Sequence, residues 1–320
     1  MRRKLWFAAL ALLATALLGA ALGEEGRRGE TLAEASARLL PGSAPEQYHF
    51  AVLGDTGCCT AGFREILREL DRDRPLFILH TGDVSYEGTY GYRFFRSRVE
   101  KTGIPLFATL SNHDAAVPAR WERALREISP PNFTFDFGRL RFIFVSSASK
   151  ALSEADLEWL RARLAAPRDI RSVVITHIPP FDYRNDALPG APFPVGHSMS
   201  NVEKARRFVD LMTKNRPAAV FVGHIHALRH WPHDGVDYWV TGGGGGELEP
   251  GETSHHYLRV DVKGAEIEVS PVQVEKIGLL DRAGSELLWR ARRFVMREAG
   301  PVGLLLAASL VLTRPRRPKG

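Results

Sequence analysis

The chain has 320 residues, 44% apolar and 25% charged, which excludes a low-complexity or disordered chain and leaves room for one large globular domain with flanking pieces; no repeat of solenoid length appears. Its net charge of +6 would admit nucleic acid or an anionic membrane as partners. Arginine, however, is dense only at the two termini and no basic stripe interleaves with aromatics, which argues against nucleic-acid binding and for a mild attraction of anionic, phosphorylated substrates.

From the N-terminus, Met1-Arg2-Arg3-Lys4, an apolar run from Leu5 to Leu22 and then Gly23-Glu24-Glu25 form the pattern of an export signal. Residues 1–23 are thus a signal peptide, with an uncleaved signal anchor as the alternative because the run nearly spans a bilayer. Residues 24–46, rich in Glu, Arg, Ala, Gly and Pro, are expected as a linker or loose helix. The folded domain is expected over 47–270. Its first strand is Tyr48 to Leu53, and Phe63, Ile66, Leu67 and Leu70 then mark an amphipathic helix. Cys58 and Cys59 are adjacent, so they could bridge only through a strained ring and are expected as small packed side chains.

Further strands are expected at Leu76–Leu79 and Ile104–Leu110, followed by a hairpin from Phe133 to Val145 that turns at Gly138-Arg139. Ser153 with Asp156 is a capping box opening a helix with Leu157, Leu160 and Leu164. Ser172 to Ile175 and Ala218 to Val222 are strands, separated by the long Pro/Gly-rich stretch 179–200, a rim or lid, and by a helix capped at Asn201. Tyr238 to Thr241 and the Leu258 to Val269 region, turning at Lys263-Gly264, are expected as strands of a second sheet. Alternating strands and helices with a strand-rich end predict an α/β fold, a two-sheet β-sandwich flanked by helices in αββα layers.

Beyond the domain, 271–298 is a tail segment and 299–313 contains the apolar run Val302 to Thr313, closed by the basic tail 314–320. A helix of that length reaches only about two-thirds of the way across a hydrocarbon layer. A short membrane anchor accounts best for an apolar run ending in a basic cluster, with an interfacial or buried helix as the alternative. Either terminus is a candidate tether.

Five segments carry the chemistry: Gly54-Asp55-Thr56-Gly57, Gly82-Asp83-Val84-Ser85-Tyr86, Ser111-Asn112-His113-Asp114, Val174-Ile175-Thr176-His177 and Gly223-His224-Ile225-His226. Each places an oxygen or imidazole donor just after an apolar run, where strand ends hold ligands rigidly. Hard oxygens mixed with imidazoles suit iron, zinc or manganese better than calcium alone. Asp83 is the natural bridging carboxylate, and Tyr86 can ligate only as a phenolate, which an acidic ion such as Fe(III) stabilises. His224 and His226, if the strand continues through them, leave on one face. Taken singly, each element has a plainer explanation: Gly-Asp pairs are common in turns, and Tyr86 alone would be a packing residue. His49, His80, His230, His233, His255 and His256 fit no segment and are expected on the surface or in packing, while His197 is a candidate substrate contact. Gly242 to Gly246 could present amides to a phosphate or simply return the chain.

The five segments, in order from about Tyr48 to Thr241, resemble the blocks of the calcineurin-like metallophosphoesterase superfamily. Asp55-Thr56-Gly57 in place of Asp-x-His, together with Tyr86, is similar to the purple acid phosphatase branch. The resemblance implies two metal ions: Fe(III) held by Asp55, Tyr86 and His226, and divalent iron, zinc or manganese held by Asn112, His177 and His224, with Asp83 bridging. It also implies that His113 is the general acid, oriented by Asp114, and that the substrate is a phosphorylated small molecule or other phosphoester attacked by a metal-bound hydroxide. Ser111 departs from the glycine usual there without removing a ligand. The alternatives are a phosphodiesterase or nucleotidase of the same superfamily and a non-catalytic, membrane-tethered metal-binding module. An exported protein, periplasmic or extracellular, is expected.

Overall fold

The computed structural model describes residues 30–57, 60–86, 90–165, 169–181 and 197–274. The expected signal segment, the Cys58-Cys59 pair, most of the long 179–200 stretch and the apolar and basic C-terminal segments lie outside the described residues. Among the described residues, no helix is long and apolar enough to cross a membrane.

Two sheets form the frame. The first has five strands in the order β11 (Glu266–Val274), β10 (His255–Lys263), β1 (Gln47–Leu53), β2 (Ile78–His80) and β3 (Leu106–Ala108). Within it β1, β2 and β3 are parallel, while β10 runs antiparallel to both β1 and β11. The second has six strands in the order β4 (Asn132–Phe137), β5 (Leu140–Val145), β6 (Arg171–Ile175), β7 (Ala219–Val222), β9 (Val236–Thr241) and β8 (Leu228–His233). Its four central strands are parallel, with antiparallel hairpins at both edges.

Among the described residues six helices cover the outer faces: α1 (Leu32–Leu39), α2 (Ala61–Asp73), α3 (Tyr90–Glu100) and α4 (Pro118–Glu127) on the first sheet, α5 (Glu154–Leu164) and α6 (Val202–Asn215) on the second. This is the expected layering, and it explains the unbroken apolar runs. Along β1, Ala51 and Leu53 face the helices while Phe50 and Val52 face the other sheet; along β7, Val220 and Val222 face helices while Ala219 and Phe221 point inward. A strand buried on both faces has no polar side to alternate. The layer between the sheets is aromatic: Phe77 stacks on Phe50 with centroids 5.1 Å apart and meets Phe142 edge-on at 5.3 Å.

Several local readings hold. The β4–β5 hairpin turns at Gly138 (φ +61°), and Ser153 and Asp156 close a reciprocal capping box. Asn201 caps α6 by accepting from the Lys204 amide. Three features differ from expectation. The linker region contains α1, started by a Thr31–Glu34 capping box and docked through Ser36, whose hydroxyl donates to Leu106 O (2.8 Å) and accepts from Leu106 N (2.8 Å). The late strands do not form a sheet of their own: β9 adds in parallel to β7, whereas β10 and β11 return to β1, and β11 continues past residue 270 to Val274. The register decides this, since Val52 pairs with Leu258 and Gln47 with Lys263 across the first sheet. Helices α3 and α4 also lacked a clean sequence signal, because their stripes (Tyr92, Phe95 and Val99; Ala124 with Ile128) are narrow and crowded by arginines.

Candidate metal centre

All five segments lie at the carboxyl ends of parallel strands: Asp55 after β1, Asp83 after β2, Asn112 after β3, His177 after β6, and His224 and His226 after β7. Parallel strands end on a common edge, where ligands of open α/β sheets gather. The first sheet delivers oxygen donors and the second imidazoles. Asp55, Asp83 and His177 are buried, and one ligand atom from each lies within 4.8 Å of the others.

The backbone there is bent out of its usual range. Asp55, Asp83 and His224 have φ of +58°, +55° and +68°, a left-handed conformation that side-chain-bearing residues rarely adopt. Three such residues at one site mark strain held by the surrounding fold. Gly82, at φ +108°, is required by close approach: a Cβ there would sit 2.7 Å from His177 Nδ1.

Hydrogen bonds orient the candidate histidines. His177 Nδ1 faces the Thr81 carbonyl at 2.9 Å and can only donate, so Nε2 carries the lone pair. That nitrogen stands 2.9 Å from Asn112 Oδ1 and 3.6 Å from Asp83 Oδ2, both acceptors. His226 Nδ1 likewise donates to the Glu247 carbonyl, leaving Nε2 beside the Tyr86 hydroxyl (3.0 Å) and Asp55 Oδ1 (3.4 Å). Asp83 Oδ1 is buried and has no partner among the described residues. Lone pairs facing one another around an orphaned carboxylate oxygen are costly unless a cation lies among them, so the donor set fits a metal. Asp55, Tyr86 and His226 adjoin one another, and Asn112 adjoins His177, whose ring meets that of His224 edge-on at 5.1 Å; the two sets share one cluster, since His224 N donates to the Asp55 carboxylate (3.0 Å).

Charge follows from this packing. Burial lowers the His224 imidazole to about 3, so it is neutral, as a ligand must be. Burial acts in the same sense on His226, but the Asp55 carboxylate beside it outweighs this and brings it up to about 9, so without a cation its Nε2 carries a second proton, which a bound metal ion would displace. Burial opposes ionisation of Asp83, yet His177 and His113, in their protonated forms, hold it below the usual carboxylate range. Burial, with Asp55 and Asp83 nearby, pushes the Tyr86 phenol well above its ordinary value, so only a strongly acidic cation would make it a phenolate.

Two expectations about geometry change. β7 stops at Val222 and the chain turns at Gly223–His224, with Ile225 N donating to Gly223 O (2.8 Å) and Ala227 N to Ile225 O (2.7 Å). The two histidines therefore do not share a strand face; His224 turns to His177 and His226 to Tyr86. His113 stands at the rim, 43% exposed, with Nε2 3.7 Å from Asp83 Oδ2. Asp114, read as its orienting partner, is instead buried: one oxygen accepts from the Tyr92 hydroxyl (2.5 Å), the other from the Ser111 amide and hydroxyl (both 2.7 Å).

Supporting residues were less visible. His80 is buried beneath Asp83 and, lowered by burial to about 3, is neutral; it accepts from Gly82 N at 3.1 Å, and its other ring nitrogen lies 3.2 Å from Thr56 Oγ1. Gly242 to Gly246 form neither a phosphate cradle nor a loose return. Gly244 N and Gly246 N donate to Gly54 O (2.9 Å) and Asp55 O (2.8 Å), so the run braces the Asp55 loop. A Cβ on Gly244 would meet Gly54 O at 2.2 Å. A glycine run following a strand was the one available sign of such close backbone contact.

The geometry agrees with what the chain is similar to. The family model for calcineurin-like phosphoesterases matches residues 48–228, more than half of the chain. No curated protein matches it. Among solved structures, the yellow lupin purple acid phosphatase PPD1 aligns with TM-score 0.60 at 14% identity over 73% of this chain and 52% of its own, so this chain spans about half the length of the lupin protein. GAP50, the anchor in the inner membrane complex of Plasmodium, aligns with TM-score 0.55 at 16% identity over 73% and 87%. PhoD aligns with TM-score 0.51 at 13% identity over 80% and 79%. Such identities establish a shared fold. With its αββα layers, its strand-end donors and the matched segment, this chain belongs to the calcineurin-like phosphoesterase family.

Proposed function

We propose that this protein is a binuclear-metal phosphoesterase of the acid phosphatase type, hydrolysing esters of phosphorylated small molecules. The observation that carries the reading is the buried cluster of Asp55, Asp83 and His177, with Tyr86 and His226 against Asp55 and Asn112 against His177. Asp55, Tyr86 and His226 would hold Fe(III), and Asn112, His177 and His224 a divalent iron, zinc or manganese ion, with Asp83 shared. When bound, such a pair neutralises phosphoryl oxygens and acidifies water.

The protein's own residues supply the rest. The buried Asp83 carboxylate keeps the floor of the site anionic and the neutral His224 leaves its lone pair free. His113, exposed enough to meet a substrate and next to Asp83, is placed to protonate the departing oxygen. Export, with a tether at either terminus, belongs to the same proposal and is supported by the basic and apolar pattern of residues 1–23 and 299–320; fractionation with N-terminal sequencing of the mature chain tests it.

Elemental analysis of the purified protein beside a panel of aryl phosphates, nucleotides and phosphodiesters tests the activity. Two metals per chain and turnover of monoesters are expected, with His113→Ala keeping its metals while kcat falls roughly 10²–10⁴-fold. A purple colour in the iron-loaded protein would support Tyr86 as a ligand. Preference for diesters would select the phosphodiesterase or nucleotidase alternative. Full metal loading without hydrolysis of any ester would overturn the reading in favour of a non-catalytic, membrane-tethered metal-binding module.

A further inference from the structure

Tyr92 and Arg120 belong to none of the five segments, yet they join two of them. Tyr92, on the inner face of α3, is fully buried, and its hydroxyl donates to Asp114 Oδ1 at 2.5 Å. Asp114 Oδ2 accepts from Ser111 N and Ser111 Oγ, which closes the turn that presents Asn112 and His113. Arg120, in the first turns of α4, donates through Nη2 to the Ser85 carbonyl at 2.9 Å, one residue before Tyr86. Arg120 stands just past the His113 loop, where its amide donates to Val117 O (3.0 Å), so its guanidinium reaches from the helix that ends this loop to the Tyr86 loop. Two contacts thus hold the His113 loop: Tyr92, through Asp114 and Ser111, from within, and Arg120 from its end to the Tyr86 loop.

We propose that Tyr92 and Arg120 are positioning residues that lock the loop carrying Asn112 and His113 to the loop carrying Tyr86, fixing His113 over the departing oxygen. The geometry gives Asp114 this task in place of direct orientation of the His113 ring, because both of its oxygens are engaged on the far side. It also accounts for Ser111: a glycine there would supply the amide bond but not the second one, from the hydroxyl. Such a network is worth most when every member is satisfied, and removing one hydroxyl from its centre frees the whole loop. A rim residue that must meet a leaving group within a fraction of an ångström depends on such support.

The inference rests on the phosphoesterase reading, and its test separates the two. In the full chain, Tyr92→Phe removes one oxygen and keeps the ring. Hydrogen exchange of the 111–117 peptide is expected to speed up roughly tenfold or more in Tyr92→Phe and in Arg120→Gln, with Arg120→Lys recovering part of the protection. This readout needs no turnover. Zn²⁺ titration of the metal-free protein should show weaker binding by roughly 10–100-fold, as outer partners of metal ligands usually produce. Turnover should fall roughly tenfold or more on alkyl phosphates, whose departing oxygen needs a proton, and only a few-fold on nitrophenyl phosphate. In the His113→Ala background, Tyr92→Phe should cost nothing further on alkyl phosphates. Unchanged exchange in both variants, or equal losses on all esters that persist without His113, would overturn the proposal. If the wild type hydrolyses no ester, the functional reading fails alone, and exchange and Zn²⁺ binding still decide whether the bracket exists.

Discussion

The two sheets meet at one edge but bring different chemistry to it. The first supplies Asp55, Asp83 and Asn112 from the ends of β1, β2 and β3; the second supplies His177, His224 and His226 from β6 and β7. Each half is braced in its own way. On the first sheet the Asp55 loop is held by backbone bonds from the glycine run, and the Asn112 loop by the buried Tyr92–Asp114 pair. On the second, the imidazoles are aimed by carbonyl oxygens, Thr81 for His177 and Glu247 for His226. Because Thr81 belongs to the first sheet's β2 loop, His177 is oriented across the interface. Neither sheet alone holds the candidate cluster, which takes Asp55 and Asp83 from the first and His177 from the second.

That comparison can be broken at four places. The largest effect is expected at the proposed shared ligand: Asp83→Asn keeps a residue tolerant of φ +55° but removes the charge between the two halves. Metal uptake and turnover should be lost together, turnover by more than the ~10–100-fold typical of outer partners. Retention of both metals in elemental analysis would contradict the bridging role.

Next is the interface itself. Phe77→Ala empties the centre of the aromatic layer and should cost about 3–5 kcal/mol in urea unfolding, with metal affinity falling alongside because the two donor sets are no longer in register. A destabilised protein with unchanged metal affinity would show that the sheets are aligned by something else.

A more local change is Gly244→Ala, whose Cβ would overlap Gly54 O. It is expected to cost about 1–3 kcal/mol and to weaken the Asp55 half of the site while sparing the Asn112 half. Calorimetric metal titration that shows both steps equally affected would argue against separate bracing.

The smallest effect is on pH dependence. His256, beside Gly243 and near His255, Glu252 and Arg229, is lowered by burial to about 4. Its folded value is below its unfolded value of about 6.5, so the unfolded chain binds the extra proton and stability falls as pH drops through that window. Between pH 7 and 5.5 the loss from this group should be about 1 kcal/mol, and His256→Asn should flatten the urea midpoint over that range by as much. An identical pH slope in both proteins would remove His256 from the glycine brace as an acid-labile element.

Much of the fold was legible because burial leaves a mark on composition. Strands covered on both faces read as apolar runs, and the caps at Ser153 and Asn201 bond to amides three residues away, so both were found. Helices α3 and α4 were not, since arginines crowd their narrow apolar stripes. The return of β10 to β1 was also hidden, because pairing depends on register between segments about 200 residues apart and no local pattern encodes it.

The sequence by itself determined which atoms could act as ligands, and in what order, since a donor following a strand is a local property of the chain. Only the tertiary structure decided which of those donors adjoin, that His224 and His226 face different ways, and that Asp114 serves Tyr92 and Ser111 instead of His113. The reason is physical. A side chain's direction is set by the backbone bend at its own residue and by the partner that takes its hydrogen bond, and here both come from loops far away in the chain.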